Sequence, residues 1–544
     1  MTTTVVLPAA DEWRSQPAPM AAFGRQLRFV ARRDRIRTPV WIASVVGLAA
    51  LSAVSVDALY TTQLDLQGYA DLAVANLAFK AIAGPGYGLD EVTLGAVVMN
   101  EVSMYTYVAV ALMAVFMVVR HTRAEEESER ADLVRAAPVG RYTALATAVV
   151  WVSLMVLAIG VGLTATMLAI DLPTAGSVAF GAATVAIGLV FVGVASVTAQ
   201  VASSARAANA IGGAILGLSF VVRAVGDIGN GWMTWLSPVG IAQAIRPYAD
   251  ERWWVLVPLG AIAISTTGAA VVLLGRRDLG AGSLSQRSGP ATGSPRLATP
   301  FAIAVRLQRA SFVGWFLGIA LTAYFIGLIA DEAEAIAENE AVADFLTAAG
   351  QGTLTELLLA TMTLMVALIA SGFTVASVLR LRTEEFAGRA DPILAAPVGR
   401  WRWLASHFAV SVVGSLLIML GSGIAMGLGY LSSTGEADEI LPVIGASLAQ
   451  LVAMLVLGSF TLALVAVAPR WALFAWVGVV VSYVVGMLGN TLDLPQWMRN
   501  LSPFEHVPAL PAAPFDATPL LILAAVAAAL TAVAVIAIRR RDIG

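Results

Sequence analysis

Long apolar runs, interrupted by short arginine-rich segments, set the expected secondary structure of this chain. Stretches such as Thr143 through Ala169 and Leu441 through Ala468 carry no charged residue, and about 20 apolar residues suffice for a helix to cross the hydrocarbon of a bilayer. The pattern predicts helices near 40 to 58, 97 to 119, 143 to 169, 177 to 200, 208 to 226 and 253 to 274. A second set is predicted near 312 to 330, 353 to 378, 403 to 430, 441 to 468, 471 to 490 and 517 to 538. Composition agrees: of 544 residues 58% are hydrophobic and only 13% charged, with a mean hydropathy of +0.81. A soluble globule of ordinary composition is excluded.

Arginine placement sets the expected orientation. Arg25 to Arg37, Arg120 to Arg141, Arg206, Arg276 and Arg277, Arg380 to Arg402, Arg470, and Arg539 to Arg541 fall on one side, which the positive-inside rule makes cytoplasmic. The opposite loops hold chiefly Lys80, Arg246, Arg252 and Arg499, and the segment from Asp331 to Asp344 is acidic. Both termini are therefore expected in the cytoplasm of a bacterial inner membrane. The first 39 residues lack a long apolar segment, so the first span is expected to act as a signal anchor.

The chain repeats itself. Residues 123 to 141 read RAEEESERADLVRAAPVGR and residues 382 to 400 read RTEEFAGRADPILAAPVGR. Arg123, Glu125, Glu126, Arg130, Asp132, Pro138 and Arg141 thus recur as Arg382, Glu384, Glu385, Arg389, Asp391, Pro397 and Arg400. Further pairs follow in order: Arg206 with Arg470, WMTWLSP from Trp232 with WMRNLSP from Trp497, and RRDLG from Arg276 with RRDIG from Arg540. The expected fold is an all-α polytopic membrane protein with 12 transmembrane helices in two parallel six-span repeats, a fused pseudo-dimer. Its expected parts are a cytoplasmic N-terminus (1–39), a first six-span unit (40–278), a Gly-, Ser- and Pro-rich linker (279–300) and a second unit (301–544).

Before the first span, Phe23, Leu27 and Val30 share one helical face while Arg25, Arg28, Arg32 and Arg35 cover another, as in a helix lying in the membrane interface. Phe301, Val305, Arg306 and Arg309 repeat this in the second half. In the repeated loop, Glu126 to Arg130 and Glu385 to Arg389 have i,i+4 spacing, and Pro138 and Pro397 are expected to stop the helix. Self-paired charges on a solvated helix would account for the spacing. The same charge order appearing twice favours a short helix presented to a soluble partner.

An acidic pair, a short helix and a P-x-x-R close between spans two and three resemble the coupling helix of ABC-2 type transporter permeases. The Leu236-Ser237-Pro238 and Leu501-Ser502-Pro503 elements and the R-R-D tails resemble that family too, over nearly the whole chain. The fused form is similar to actinobacterial permeases associated with export of polyketide antibiotics of the tetronasin type, an exporter-like type V architecture. The Gly-Thr that often follows the acidic pair in that family is here Glu127-Ser128 and Phe386-Ala387. The resemblance implies an exporter of hydrophobic or amphipathic small molecules, driven by two copies of a separate ATPase that hold ATP and Mg²⁺. The fourteen charged and proline positions of the repeated loops would be its coupling residues. It also implies a path between the second and fifth spans, which nominates Met104, Tyr105, Phe116, Phe220, Tyr483 and Met487.

The chain itself offers no catalytic constellation, and no nucleic-acid partner is expected. Cysteine is absent, and His121, His407 and His506 show no metal-ligand spacing. The single lysine, Lys80, follows Ala-Phe and cannot belong to a phosphate-binding loop. Glu101 in the second span and Arg223 in the fifth are ionisable residues in apolar stretches, costly to bury alone and expected to pair. Two roles stay open for them, an outer gate or substrate contact and a structural salt bridge. An ion-gradient-driven carrier of the major facilitator type is the rival function. It would be expected to show a compact G-x-x-x-D-R-x-G-R-R loop, where this chain has a longer one.

Overall fold

A computed structural model describes residues 18–75, 77–127, 138–229, 231–277, 292, 294–330, 352–488 and 494–541. The chain divides into two compact units, Met1–Gly289 and Pro290–Gly544. In the first, α1 (Phe23–Arg33), α2 (Arg37–Leu59), α3 (Gln63–Ala75), α4 (Leu77–Ala83), α5 (Leu94–His121) and α6 (Arg123–Glu127) precede α7 (Thr143–Ala169). They are followed by α8 (Thr174–Val201), α9 (Ala205–Ile228), α10 (Pro238–Gln243) and α11 (Leu256–Arg276). The second contains α12 (Pro300–Ile329), α13 (Leu354–Phe386), α14 (Asp391–Leu394), α15 (Arg400–Thr434), α16 (Ile440–Val467), α17 (Ala475–Leu488), α18 (Gln496–Arg499) and α19 (Ala517–Arg540).

Among the described residues, 11 helices are long and apolar enough to cross a membrane. The protein is an all-helical, multi-pass membrane protein. The segment expected as a further span near 471 to 490 holds α17, with 14 residues, preceded by a 3₁₀ turn at Ala472–Phe474. At 1.5 Å per residue it reaches about 21 Å, less than the ~30 Å hydrocarbon core.

Helix starts follow local chemistry. Thr93, Ser204 and Thr299 each accept a backbone N–H of the first turn at 3.2 Å, and Thr353 with Glu356 closes a capping box on α13. In the first unit α8 is central, packing on α5, α7, α9 and α11, while α2 packs on α5 and α7. In the second, α16 packs on α13, α15, α17 and α19, and α12 packs on α15 and α13. Small residues permit the closest approach: a Cβ on Gly327 of α12 would stand 2.0 Å from the Met426 carbonyl oxygen of α15.

Two features depart from the sequence reading. Helices α3 and α4 occupy a stretch read only as a loop. The expected second interface helix is continuous with the first span of its unit, since Phe301, Val305, Arg306 and Arg309 all lie in α12. In the first unit the helix breaks at Asp34, whose buried carboxylate lies 2.7 Å from His121 Nε2 and 3.5 Å from Arg120 Nη2 at the end of α5. A turn at 34–36 separates α1 from α2, and Arg25, Arg28, Arg32 and Arg35 are exposed with Val30 buried.

Candidate functional site

The repeated charges meet partners far along the chain. Arg277 Nη2 donates to both Glu126 oxygens, at 2.7 and 3.0 Å, and its Nε donates to Gln200 Oε1 at 2.8 Å. Arg123 donates to Glu126 Oε2 at 2.9 Å and to the Ser203 carbonyl at 2.8 Å. Arg141 closes the set by donating to the Leu274 and Arg277 carbonyls, both at 2.8 Å. The loop after α5 is thereby fastened to the ends of α8 and α11.

The second unit repeats the plan with its own residues. Arg541 donates to Glu385 and to the Val465 carbonyl at 3.0 Å. Arg400 donates to the Arg541 carbonyl at 2.7 Å, and Arg382 to the Pro469 carbonyl at 2.8 Å. Glu126 and Glu385 are only 12% and 11% exposed, so each acts mainly as an internal anchor. Burial strengthens such a charge-assisted pair and makes loss of one partner costly.

The other acidic residues differ between units. Glu125 accepts from Arg33 of α1 at 2.8 Å, whereas Glu384 takes Arg380 and Arg389, both at 2.7 Å. The expected Glu385 to Arg389 pair is therefore replaced by Glu384 to Arg389. Helix α13 ends at Phe386, and Gly388, at φ +66°, folds the chain back so that the Arg389 amide bonds the Glu384 carbonyl at 3.0 Å. The Glu384 hydrogen bond also holds the Arg389 guanidinium above its ordinary pKa. Arg130 and Asp132 lie outside the described residues. Pro138, Asp391 and Pro397 are exposed, as is Phe386 at 63%.

Arg223 is fully buried, but its ionic partner is Asp227, at 3.1 Å. It also donates to the Ala81 and Ile82 carbonyls of α4 at 2.6 and 3.2 Å, and its guanidinium lies 4.8 Å over the Phe220 ring. The second Asp227 oxygen accepts from Thr234 at 2.8 Å. Glu101, expected to pair with Arg223, is instead exposed beside the Tyr69 hydroxyl of α3. Asp227 stands four residues from Arg223, a helical i,i+4 spacing that could have been read from sequence.

Of the residues nominated for a path, Met104, Tyr105, Phe116 and Phe220 lie in the first unit and Tyr483 and Met487 in the second. Met104 is buried in the core of the first unit, and Tyr105 and Phe220 pack against that core. Phe116 is 43% exposed and Tyr483, in α17, 42%. The Met487 side chain lies outside the described residues. The sequence reading passes over a polar cleft in the first unit where Asn100, Ser103 and Tyr107 of α5 face Gln243 and Arg246. Polar residues recurring along one stretch of an otherwise apolar span are the signal for it.

The family model described as "Multidrug efflux system permease Rv1217c, C-terminal domain" matches residues 297–539. The chain is also 39% identical over 522 residues to "Multidrug efflux system permease protein Rv1217c" of Mycobacterium tuberculosis (strain ATCC 25618 / H37Rv), covering 95% of this chain and 94% of that protein. With an identity of that level running through both helical units, this chain belongs to the family of multidrug efflux system permeases represented by that protein.

Proposed function

We propose that this chain is the transmembrane permease subunit of an ATP-driven exporter of the ABC-2 type, moving hydrophobic or amphipathic compounds out of the cell. Two copies of a separate ATPase, carrying ATP and Mg²⁺, supply the energy. In this reading the chain spans the membrane twelve times as two parallel six-span repeats, with α17 as the shortest span and both termini in the cytoplasm. Drug-like compounds are the favoured cargo, since the 39% identical relative is named for multidrug efflux.

The carrying observation is the twin fastening of the charged loops, Glu126 with Arg277 and Glu385 with Arg541. A loop tied to the ends of its unit's spans transmits a push from a soluble motor to the helices, instead of folding away under it. The surface offered to that motor is the exposed part of the loop, Phe386, Asp391 and Pro397 in the second unit. The anchored glutamates position that surface. Carrier-type proton coupling is less favoured, because Asp227 is already committed to Arg223 and Thr234.

Ethidium uptake by inverted membrane vesicles containing the chain tests this. Uptake is expected to require hydrolysable ATP and to survive a protonophore. Uptake that needs no ATP and collapses with the protonophore would establish the ion-gradient carrier instead.

A further inference from the structure

Helix α1 carries a row of arginines that the fold does not use. At about 100° per residue, Arg25, Arg28 and Arg32 fall within about 60° of one another, roughly opposite the buried Val30, and Arg35 follows in the turn. All four are exposed. Among the described residues none of them enters an ion pair, and Arg28 reaches only the Gly24 carbonyl of its own helix, at 3.2 Å. Arg33, on the flank of the same helix, is committed: it donates to Glu125 Oε1 and lies 2.8 Å from His121 Nδ1.

The helix is also tied at both ends to the charged loop. Before it, the Ala21 carbonyl accepts from the Gly140 amide at 3.1 Å and from the Thr143 hydroxyl at 2.9 Å, and the Pro19 carbonyl accepts from the Tyr142 amide at 3.2 Å. A Cβ on Gly140 would stand 2.2 Å from that Pro19 oxygen, so this approach requires glycine. At its other end Arg33 holds Glu125, and Asp34 meets His121 at 2.7 Å. Helix α1, about 16 Å long for its 11 residues, therefore runs from the start of α7 to the end of α5, across the arginine-bearing ends of the spans.

The second unit does without both features. Aligning Trp41 with Trp315, the buried Val30 falls on the buried Ala304, and Arg32 and Arg35 recur as Arg306 and Arg309. Arg25 and Arg28 become Thr299 and Ala302, and the tying residues Arg33 and Asp34 become Leu307 and Gln308. There the segment is simply the start of α12. The helical unit therefore does not demand the full arginine row.

Charge and apolar surface together select the ligand. Phe29 and Ile36, 56% and 68% exposed, stand beside the arginines, and exposed apolar residues continue from Ile36 into α2 at Val40, Leu48 and Leu51. An acidic protein surface would set those side chains against polar groups. The headgroup boundary of a bilayer instead takes guanidinium groups at its phosphates and Phe or Ile among its acyl chains. Guanidinium forks match phosphate oxygens, and a positive row favours lipids of net negative charge over zwitterionic ones. We propose that α1 binds anionic phospholipid of the cytoplasmic leaflet, with Arg25, Arg28, Arg32 and Arg35 holding its phosphates, and that the bound lipid fixes the position of the first unit's charged loop. The effect on the loop rests on the permease reading above; the lipid site itself does not.

The test uses the full chain in mild detergent, titrated with phosphatidylglycerol or phosphatidylcholine of the same acyl chains and read by native mass spectrometry. The wild type is expected to prefer phosphatidylglycerol by at least about tenfold. Arg25→Gln with Arg28→Gln should remove most of that preference, at about fivefold for each basic residue near an anionic surface, and leave phosphatidylcholine uptake unchanged. Arg25→Lys with Arg28→Lys keeps the charge and should retain the preference, as should Arg306→Gln with Arg309→Gln in the second unit. Equal uptake of the two lipids by the wild type overturns the assignment, as does a preference that survives Arg25→Gln with Arg28→Gln. In the vesicle experiment the same double variant should lower ATP-dependent ethidium uptake severalfold per folded chain. Lost lipid preference with unchanged uptake overturns the effect on the loop, and lowered uptake with the lipid preference intact assigns the arginines to a soluble partner instead. Lipid binding needs neither ATP nor an ATPase, so wild-type vesicles without ATP-dependent uptake would strike the permease reading and not the lipid site.

Discussion

Replacing Arg223 with methionine is expected to destabilise the chain by roughly 3–5 kcal/mol, the cost of leaving one member of a buried ion pair without its partner. Arg223 and Asp227 have side-chain exposures of 0% and 2%, so neither charge recovers hydration when the other is lost. The substitution also removes the donors that hold the Ala81 and Ile82 carbonyls, loosening α4 from α9. A lowered midpoint of thermal aggregation in mild detergent, followed by size-exclusion chromatography, reads the effect. Arg223→Met combined with Asp227→Asn should recover part of the loss, because asparagine is neutral and still accepts from Thr234. Glu101→Gln should leave the midpoint nearly unchanged, since Glu101 is exposed and is not the ionic partner of Arg223. A Glu101→Gln midpoint as low as that of Arg223→Met would mean that the pairing is wrong.

The second large effect is expected at the anchors. Arg541→Ala strands the nearly buried Glu385 and removes the bond to the Val465 carbonyl, at about 2–5 kcal/mol for a truncated, hydrogen-bonded charge pair, and Arg277→Ala is expected to cost less because Arg123 still bonds Glu126. In the permease reading the functional loss should exceed the loss of folded protein. An untied loop still offers its exposed surface to the motor but moves without its spans. The expected outcome is ATP hydrolysis that continues while ethidium uptake by vesicles falls to background. Arg541→Lys retains the charge but not the forked donors that reach Glu385 and the Val465 carbonyl together, and should give partial transport. Transport in proportion to the amount of folded Arg541→Ala protein would show that the anchor serves stability alone.

What could be read before the structure was mostly what runs along the chain. Apolar runs locate the spans because lipid leaves a crossing backbone few alternatives to the helix. The duplicated loop is legible because its charges recur in order. Lateral neighbours are another matter. Glu126 and Arg277 are 151 residues apart, and Glu385 and Arg541 156; spacing within a loop points instead to local i,i+4 pairs. The Glu385 to Arg389 expectation failed because a tertiary partner claimed Glu385 and Gly388 turned the chain. Asp227 escaped notice by lying just beyond the apolar window that contains Arg223. Helices α3 and α4 carry Asp65, Asp71 and Lys80 among apolar residues, a pattern too short and too mixed to read as a span.

Mild-detergent affinity purification of the chain from its own membranes, with native mass determination, tests the central claim most directly. The account predicts two ATPase subunits bound per chain, and their loss on combining Phe386→Ala with Asp391→Arg, which alters exposed loop residues and leaves the anchors intact. An intact wild-type chain that never carries a stoichiometric ATPase would contradict it.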